Sequence, residues 1–148
     1  MKKLLIASFA ALALSACGNA AESGSSVKEA VSKAEAVVDA TKAVLVYADW
    51  CGSCKVLDPA VNKAKAMGPL PGVEFVVLDY TDKNDANFYA QAEAAGVEAA
   101  IRTYLDGTVK TGQLLLVDVD DAKVITKITK ADDAPAIAAK IKDAVSAS

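Results

Sequence analysis

The sequence predicts an α/β fold in which a mixed sheet is covered by helices on both faces. Short apolar runs rich in β-branched residues alternate with segments whose apolar residues recur at helical spacing. The last two strand-like runs follow one another directly and are expected to pair as a hairpin, which makes the sheet mixed. A chain of 148 residues is long enough for one such domain with its own core.

The first half of the domain begins with a predicted helix near 27–40, where Ser26-Val27-Lys28-Glu29 has the capping-box pattern. A short buried strand is predicted over 44–48. A second helix is expected from about Gly52 to Ala66. Pro59 within it should kink the helix, because proline lacks the N–H that the helical ladder needs.

The middle of the chain is punctuated by Met67-Gly68-Pro69-Leu70-Pro71-Gly72, a sequence that breaks regular structure. The next strand is predicted over 73–80. A helix is predicted from Asp85 to about Ala95, after which the helical pattern resumes through Leu105.

The last part of the chain supplies the hairpin and a closing helix. Strands are predicted over 114–119 and 124–128, separated by a short acidic turn. Either Asp132 or Asp133 is expected to cap the final helix, and Pro135 falls in its first turn, where proline is tolerated.

Residues 1–16 are predicted to be a cleaved signal peptide. A basic start, Met1-Lys2-Lys3, precedes an apolar run over 4–14 that is too short to span a bilayer. Leu14-Ser15-Ala16-Cys17 resembles the lipobox of bacterial lipoproteins, which implies cleavage before Cys17 and lipidation of its sulfur. The alternatives are an ordinary secretory signal and a retained anchor helix.

Residues 17–26 are then predicted to be the lipidated cysteine and a flexible tether, because they are mostly small and polar. The domain itself is predicted over 27–148. Gly18 stands where an Asp would, by the sorting rule of bacterial lipoproteins, retain the protein at the inner membrane. The resemblance therefore implies a membrane-anchored lipoprotein that faces the periplasm, on the outer membrane rather than the inner.

Composition excludes several classes of partner and site. The formal net charge is −3 and the sequence contains no basic stripe, so no nucleic-acid partner is predicted. The chain contains no histidine, which removes the commonest general base and metal ligand.

The stretch that carries chemistry is Trp50-Cys51-Gly52-Ser53-Cys54-Lys55. Two cysteines with this spacing can close a disulfide across one helical turn. A strand before them and a helix after them would place Cys51 at a helix N-terminus, where free N–H groups and the helix dipole favour the thiolate. Cysteines in that setting have pKa values of roughly 3.5–7.5. The motif therefore predicts a redox site.

The pattern Tyr47-Ala48-Asp49-Trp50-Cys51-x-x-Cys54-Lys55 resembles the thioredoxin superfamily, and in particular the C-terminal domain of the DsbD disulfide-interchange reductases. Pro59 matches the helix-kinking proline of thioredoxins, and the element order agrees from about residue 27 to 146. The resemblance implies a thioredoxin-like, three-layer α/β/α fold with a mixed central sheet.

The same resemblance implies roles for the motif residues. Cys51 attacks the disulfide of a partner protein, and Cys54 resolves the mixed disulfide, leaving a Cys51–Cys54 disulfide. Trp50, Gly52 and Ser53 would form part of the surface that binds the partner. Simple packing is the alternative role for Trp50.

The chain departs from the family at the loop opposite the cysteines, where thioredoxins carry a cis-proline that docks substrate and keeps metals off the sulfurs. The matching position is predicted at Thr111-Gly112-Gln113, and a less favoured register places it at Ile101. No proline stands at either place. Gly112 would still give a partner close access to the backbone, and Gln113 beside it is a second predicted contact.

Two further departures concern proton transfer and redox potential. The buried acid of thioredoxins is replaced by Leu45 and the lysine opposite it by Val77, an exchange that strands no charge. Proton transfer must then come from water or another carboxylate; Asp49 and Asp58 are near in sequence, although surface or helix-end charges are the simpler interpretation. Gly52-Ser53 replaces the Gly-Pro of reducing thioredoxins, which should alter the reduction potential.

Three hypotheses follow. The favoured one is an enzyme, a lipid-anchored periplasmic thiol–disulfide oxidoreductase that acts on protein thiols and disulfides and draws on an inner-membrane electron donor. The alternative is a thioredoxin-like binding module whose disulfide is mainly structural. The third is metal handling, for which the mature chain offers only Cys51, Cys54 and Met67; no metal or other cofactor is predicted, with a cluster shared between two chains left open.

Overall fold

The computed structural model describes residues 41–147. The elements are β1 (Thr41–Tyr47), α1 (Cys54–Ala66), β2 (Val73–Asp79), α2 (Asp85–Ala94), α3 (Glu98–Leu105), β3 (Gln113–Asp118), β4 (Lys123–Thr129) and α4 (Ala134–Ser146). The predicted signal peptide, Cys17, the tether and the helix near 27–40 lie outside the described residues. Over residues 41–147, no helix combines the length and the apolar character needed to cross a membrane.

The four strands form one mixed sheet in the order β2-β1-β3-β4. β1 and β2 are parallel, as expected of strands joined through a helix, whereas β1–β3 and β3–β4 are antiparallel. The predicted hairpin is therefore confirmed, and β1 lies inside the sheet with a neighbour on each side.

Alternation along β1 divides the core into two halves. Ala43 and Leu45 pack on the face covered by α1 and α4, whereas Val44 and Val46 pack on the face covered by α2 and α3. Because both faces of β1 are buried, the strand is apolar along most of its length. The result is the three-layer α/β/α arrangement that the sequence predicted.

Two elements begin two or more residues away from their predicted starts. β1 begins at Thr41, three residues before the predicted start. α1 begins at Cys54 rather than Gly52, with Ser53 as its N-cap. The helix predicted to end near Ala95 and to resume through Leu105 is confirmed as α2 and α3, and the chain breaks between them at Gly96, which has a φ of +70°. Asp133 caps α4 by accepting the N–H of Ala136.

Candidate redox site

The two cysteines lie at the junction between β1 and α1. After Tyr47 the chain turns so that the Cys51 N–H donates to the Ala48 carbonyl at 3.1 Å. Cys54 is the first residue of α1, and its N–H lies 3.2 Å from the Cys51 sulfur. Cys51 therefore lies at the N-terminus of α1, where free N–H groups of the first turn are directed towards it. The structure holds both residues as free thiols.

The surroundings of Cys51 favour its thiolate. Burial by itself raises the pKa of the thiol, but hydrogen bonds from the Cys54 thiol, the Thr111 side chain and the N–H groups of Cys54 and Ser53 outweigh it. The pKa of Cys51 is consequently lowered from its ordinary value. Donors that stabilise the charged form in this way are the usual means of activating a cysteine.

The surroundings of Cys54 do the opposite. Its side chain is fully buried, and its sulfur lies 3.8 Å from the Val46 carbonyl oxygen. Burial, together with the hydrogen bond and charge of Cys51, raises the pKa of Cys54 to about 11. One thiol is thus prepared to attack, while the other keeps its proton until it is needed.

The loop before β3 covers the cysteine pair, as the favoured register predicted. Gly112 has a φ of +80°, and its N–H donates to the Val46 carbonyl at 2.9 Å, a bond that proline cannot make. A Cβ at this position would lie 2.7 Å from the Ser53 Cβ and 3.2 Å from the Cys51 sulfur. The position therefore demands glycine. The alternative register is wrong, because Ile101 is buried inside α3.

The neighbours of Gly112 have different tasks. The Thr111 side chain hydrogen-bonds to Cys51; the sequence placed Thr111 in this loop but did not predict that bond. Gln113 is buried, and its amide nitrogen donates to the Lys110 carbonyl at 2.8 Å, so its side chain supports the loop. A contact between Gln113 and a partner stays a prediction.

Trp50 is both packed and exposed. Its indole N–H donates to the Thr81 carbonyl at 3.1 Å, its ring meets Tyr80 edge-on at 6.4 Å, and Lys83 Nζ lies 5.0 Å from the ring centroid. Half of the side chain nevertheless remains accessible. Gly52 is exposed beside it. Sequence reasoning missed Thr81 and Lys83, because they come from the β2–α2 loop and carry no local sign of this contact.

Leu45 and Val77 face each other across β1 and β2, in the register that the sequence predicted for the missing acid and lysine. Leu45 is buried in the core beneath α1. Two residues further along β1, the Tyr47 hydroxyl donates to Asp49 Oδ1 at 3.2 Å. The Tyr47 ring packs against the cluster formed by Ala48, Cys51 and Cys54.

Comparison with known proteins agrees with this geometry. The Thioredoxin family model matches residues 23–99. The chain is 32% identical over 91 residues to the thiol:disulfide interchange protein DsbD of Pseudomonas sp. (strain JR1 / K1), covering 60% of this chain and 16% of that protein. It is 34% identical over 89 residues to the protein disulfide isomerase-like 1-4 of Arabidopsis thaliana, covering 58% of this chain and 14% of that protein.

The chain thus spans less than a fifth of the length of either relative. Among solved structures, it resembles Trxlp from Edwardsiella tarda EIB202 with a TM-score of 0.45 and 16% identity, over 71% of this chain and 84% of that one. The family match covers more than half of the residues and includes both cysteines of the motif. The chain belongs to the thioredoxin family.

Proposed function

We propose that this protein is a thiol–disulfide oxidoreductase that works through Cys51 and Cys54 while anchored to a membrane by a lipid on Cys17. The observation that carries the proposal is the opposite shift of the two thiol pKa values at one strand–helix junction. A disulfide with only a structural task has no need of one activated and one protected sulfur.

The reaction has two exchanges. The Cys51 thiolate attacks one sulfur of a partner's disulfide, so that a Cys51–partner bond forms and the partner's second sulfur leaves as a thiolate. Cys54 then loses its proton and attacks the Cys51 sulfur. The Cys51–Cys54 disulfide forms, the partner's first sulfur leaves as a thiolate, and two electrons have passed from this chain to the partner.

The oxidised pair must be reduced again before a second turnover. The similarity to a thiol:disulfide interchange protein supports a dithiol protein donor, and we place that donor in the inner membrane. The lipid anchor and the periplasm-facing location rest on the lipobox resemblance around Cys17. If they hold, Cys17→Ala should move the protein from the membrane fraction to the soluble periplasmic fraction.

The surface proposed to bind the partner is centred on Cys51. The exposed part of Trp50 and the exposed Gly52 flank Cys51 on one side, and the backbone of Thr111 and Gly112 borders it on the other. Gly112 itself is buried, with the Ser53 and Cys51 side chains against the place of a Cβ, so a partner backbone would meet this loop at the half-buried Thr111.

The decisive test is a partner trap with Cys54→Ala. Without the resolving thiol, mixed disulfides through Cys51 should accumulate in cells and disappear when a reductant is added. The matched control carries Cys51→Ala as well and should trap nothing. Recovery of no covalent partner from Cys54→Ala, even under oxidative stress, would contradict the proposed function.

One observation favours the binding-module alternative. Cys51 is only 7% exposed, and the loop that covers it lacks the family's proline. Reduction of insulin disulfides separates the two functions. Turnover at thioredoxin-like rates excludes the binding module, whereas an unreactive and very stable Cys51–Cys54 disulfide excludes the oxidoreductase.

A further inference from the structure

The turn that carries Trp50 is bound by the β2–α2 loop, residues 80–84. The Trp50 indole N–H donates to the Thr81 carbonyl at 3.1 Å, and the Asp49 N–H donates to the Thr81 hydroxyl at 3.0 Å. Thr81 therefore binds two consecutive residues of the turn, one through its backbone and one through its side chain. The next residue of the turn is Cys51, the attacking thiol of the proposed function.

Thr81 is itself fixed by the last residue of β2. Asp79 Oδ1 accepts the Thr81 N–H at 2.8 Å and the Thr81 hydroxyl at 2.6 Å. A hydroxyl that donates to a carboxylate makes a charge-assisted hydrogen bond, which is stronger than a bond between neutral groups. Because the hydroxyl proton is directed at Asp79, the lone pairs of the hydroxyl oxygen are left to accept the Asp49 N–H.

Asp79 has two supports of its own. It pairs with Tyr47 in the register of β1 and β2. On its other side, the side-chain amide of Gln91 on α2 accepts the Asp79 N–H and donates to the Asp79 carbonyl, both at 2.9 Å. A continuous series of hydrogen bonds therefore connects α2, the end of β2, Thr81 and the turn that precedes Cys51.

The Trp50 ring is held by the same loop. Tyr80 meets it edge-on, with ring centroids 6.4 Å apart, and Lys83 Nζ lies 5.0 Å from its centroid. Lys83 has a φ of +56°, a backbone conformation that costs energy for a residue with a Cβ. Half of the Trp50 side chain is still accessible. The loop thus fixes the ring without covering it.

The groups that activate Cys51 belong to other elements. The hydrogen bonds that lower its pKa come from Cys54, Ser53 and Thr111, which lie at the start of α1 and in the loop before β3. A change in the β2–α2 loop should therefore alter the surface beside Cys51 while the thiolate keeps its reactivity. Binding of a partner and attack on its disulfide can be measured separately for this reason.

We propose that Thr81, oriented by Asp79, is a positioning residue that holds Trp50 ready for partner binding. This role deepens the proposed function and rests on it. A partner protein must place the chain around its disulfide against Trp50, whereas a small disulfide needs only to reach the Cys51 sulfur. Since Trp50 is already fixed, it loses little conformational freedom when the partner binds, and such preorganisation strengthens binding.

The test compares a protein disulfide with a small one, on the reduced full-length chain with Cys17→Ser in every variant. Insulin is the protein substrate, and its reduction with a chemical dithiol as electron source gives KM and kcat. A chromogenic aromatic disulfide is the small substrate, and rapid mixing gives the second-order rate constant of the attack by Cys51.

In Thr81→Val, the KM for insulin should rise by about threefold to tenfold, whereas kcat should stay within about twofold. The rate constant with the aromatic disulfide and the pKa of Cys51, read from alkylation by iodoacetamide, should not change. Acrylamide should quench the fluorescence of Trp50, the single tryptophan of the chain, more strongly. Thr81→Ser keeps the hydroxyl and should restore the KM and the quenching.

Two further variants test the path of the effect. Asp79→Ala leaves the Thr81 hydroxyl without its acceptor and should raise the KM in the same way. Thr81→Val combined with Trp50→Ala should have the KM of Trp50→Ala alone, because Thr81 acts through Trp50. The matched control is Thr103→Val, whose hydroxyl bonds to the Ala99 carbonyl on α3, and it should change none of these values.

An unchanged KM for insulin in Thr81→Val overturns the inference. A loss with the aromatic disulfide as large as the loss with insulin also overturns it, since the whole site would then be disturbed. The proposed function fails in a different way: the unmodified chain would reduce neither substrate, and the inference would fall with it.

Discussion

The two sulfurs of the site are neighbours in space but have opposite surroundings. Cys51 meets hydrogen-bond donors from the start of α1 and from Thr111. Cys54 is fully buried, and its backbone hydrogen bonds with Ala48 and Gly112 do not offset that burial and the effect of Cys51. The same helix start thus produces a thiol with a lowered pKa and one with a raised pKa. Which residues reach each sulfur decides its behaviour, more than the cysteine spacing does.

The largest expected effect comes from adding a side chain at Gly112, next to Cys51. Gly112→Ala should lower the free energy of unfolding by about 2–4 kcal/mol, from a strained positive φ and a Cβ forced against Ser53. Urea unfolding measures it.

The matched control is Gly107→Ala, where φ is +77° but no atom lies within 4 Å of the added Cβ. It should show only the conformational cost, about 1–2 kcal/mol. Equal losses in the two variants would mean that the close approach at Gly112 carries no energy.

The raised pKa of Cys54 predicts that the stability of the reduced protein depends on pH. Because its folded pKa is raised from 9.0 to about 11, the folded chain holds this proton more tightly than the unfolded chain does. The stabilisation is complete below the unfolded pKa and is lost as the pH rises towards the folded one. Reduced protein should therefore lose up to about 2 kcal/mol across this interval.

Urea unfolding of the reduced protein at a series of alkaline pH values gives the slope. Cys54→Ala should remove most of this slope, since it removes the group that titrates. If the slope is the same in Cys54→Ala, other groups cause it and the assignment to Cys54 fails.

The hydroxyl of Thr111 tests how much one side-chain hydrogen bond contributes to the lowered pKa of Cys51. Thr111→Val should raise the pKa of Cys51 by about one to two units, because a hydrogen bond to a charged group contributes about 1.5–3 kcal/mol. The pH dependence of alkylation by iodoacetamide measures this pKa.

Thr103→Val is the control for Thr111→Val, because its hydroxyl bonds to the Ala99 carbonyl on α3. The alkylation profile of that variant should match the unmodified protein. A Cys51 pKa that is insensitive to Thr111→Val would leave the Cys54 thiol and the backbone N–H groups as the stabilisers of its thiolate.

The smallest effect concerns the support of Trp50. Thr81→Val removes the acceptor of the Asp49 N–H at 3.0 Å and the hydroxyl that donates to Asp79 at 2.6 Å, and should cost about 1–2 kcal/mol. Trp50 is the single tryptophan of the chain, so its fluorescence reports the loosened loop directly. Thr108→Val, on the loop after α3, should leave the emission spectrum unchanged.

Much of this site could be predicted from the sequence. The remaining features could not, for physical reasons. The Leu45–Val77 register and the place of Gly112 were found through the resemblance to thioredoxins, on strands that apolar patterning predicted. Thr81 and Lys83 could not be found, because their contacts with Trp50 depend on how the β2–α2 loop closes over the end of β1. The start of α1 was missed by two residues because no side chain caps it.

Because Gly112 packs against Ser53, the side-chain sizes allowed at these two positions depend on each other. The closest contact of a Cβ at position 112 would be the Ser53 Cβ, so Ser53→Gly is the natural companion of any attempt to enlarge Gly112, while the Cys51 sulfur at 3.2 Å and the positive φ would still oppose it. The dipeptide between the cysteines and the loop opposite it therefore form one unit for redesign. Transplanting a Gly-Pro dipeptide alone from another thioredoxin would set a rigid ring against the same backbone.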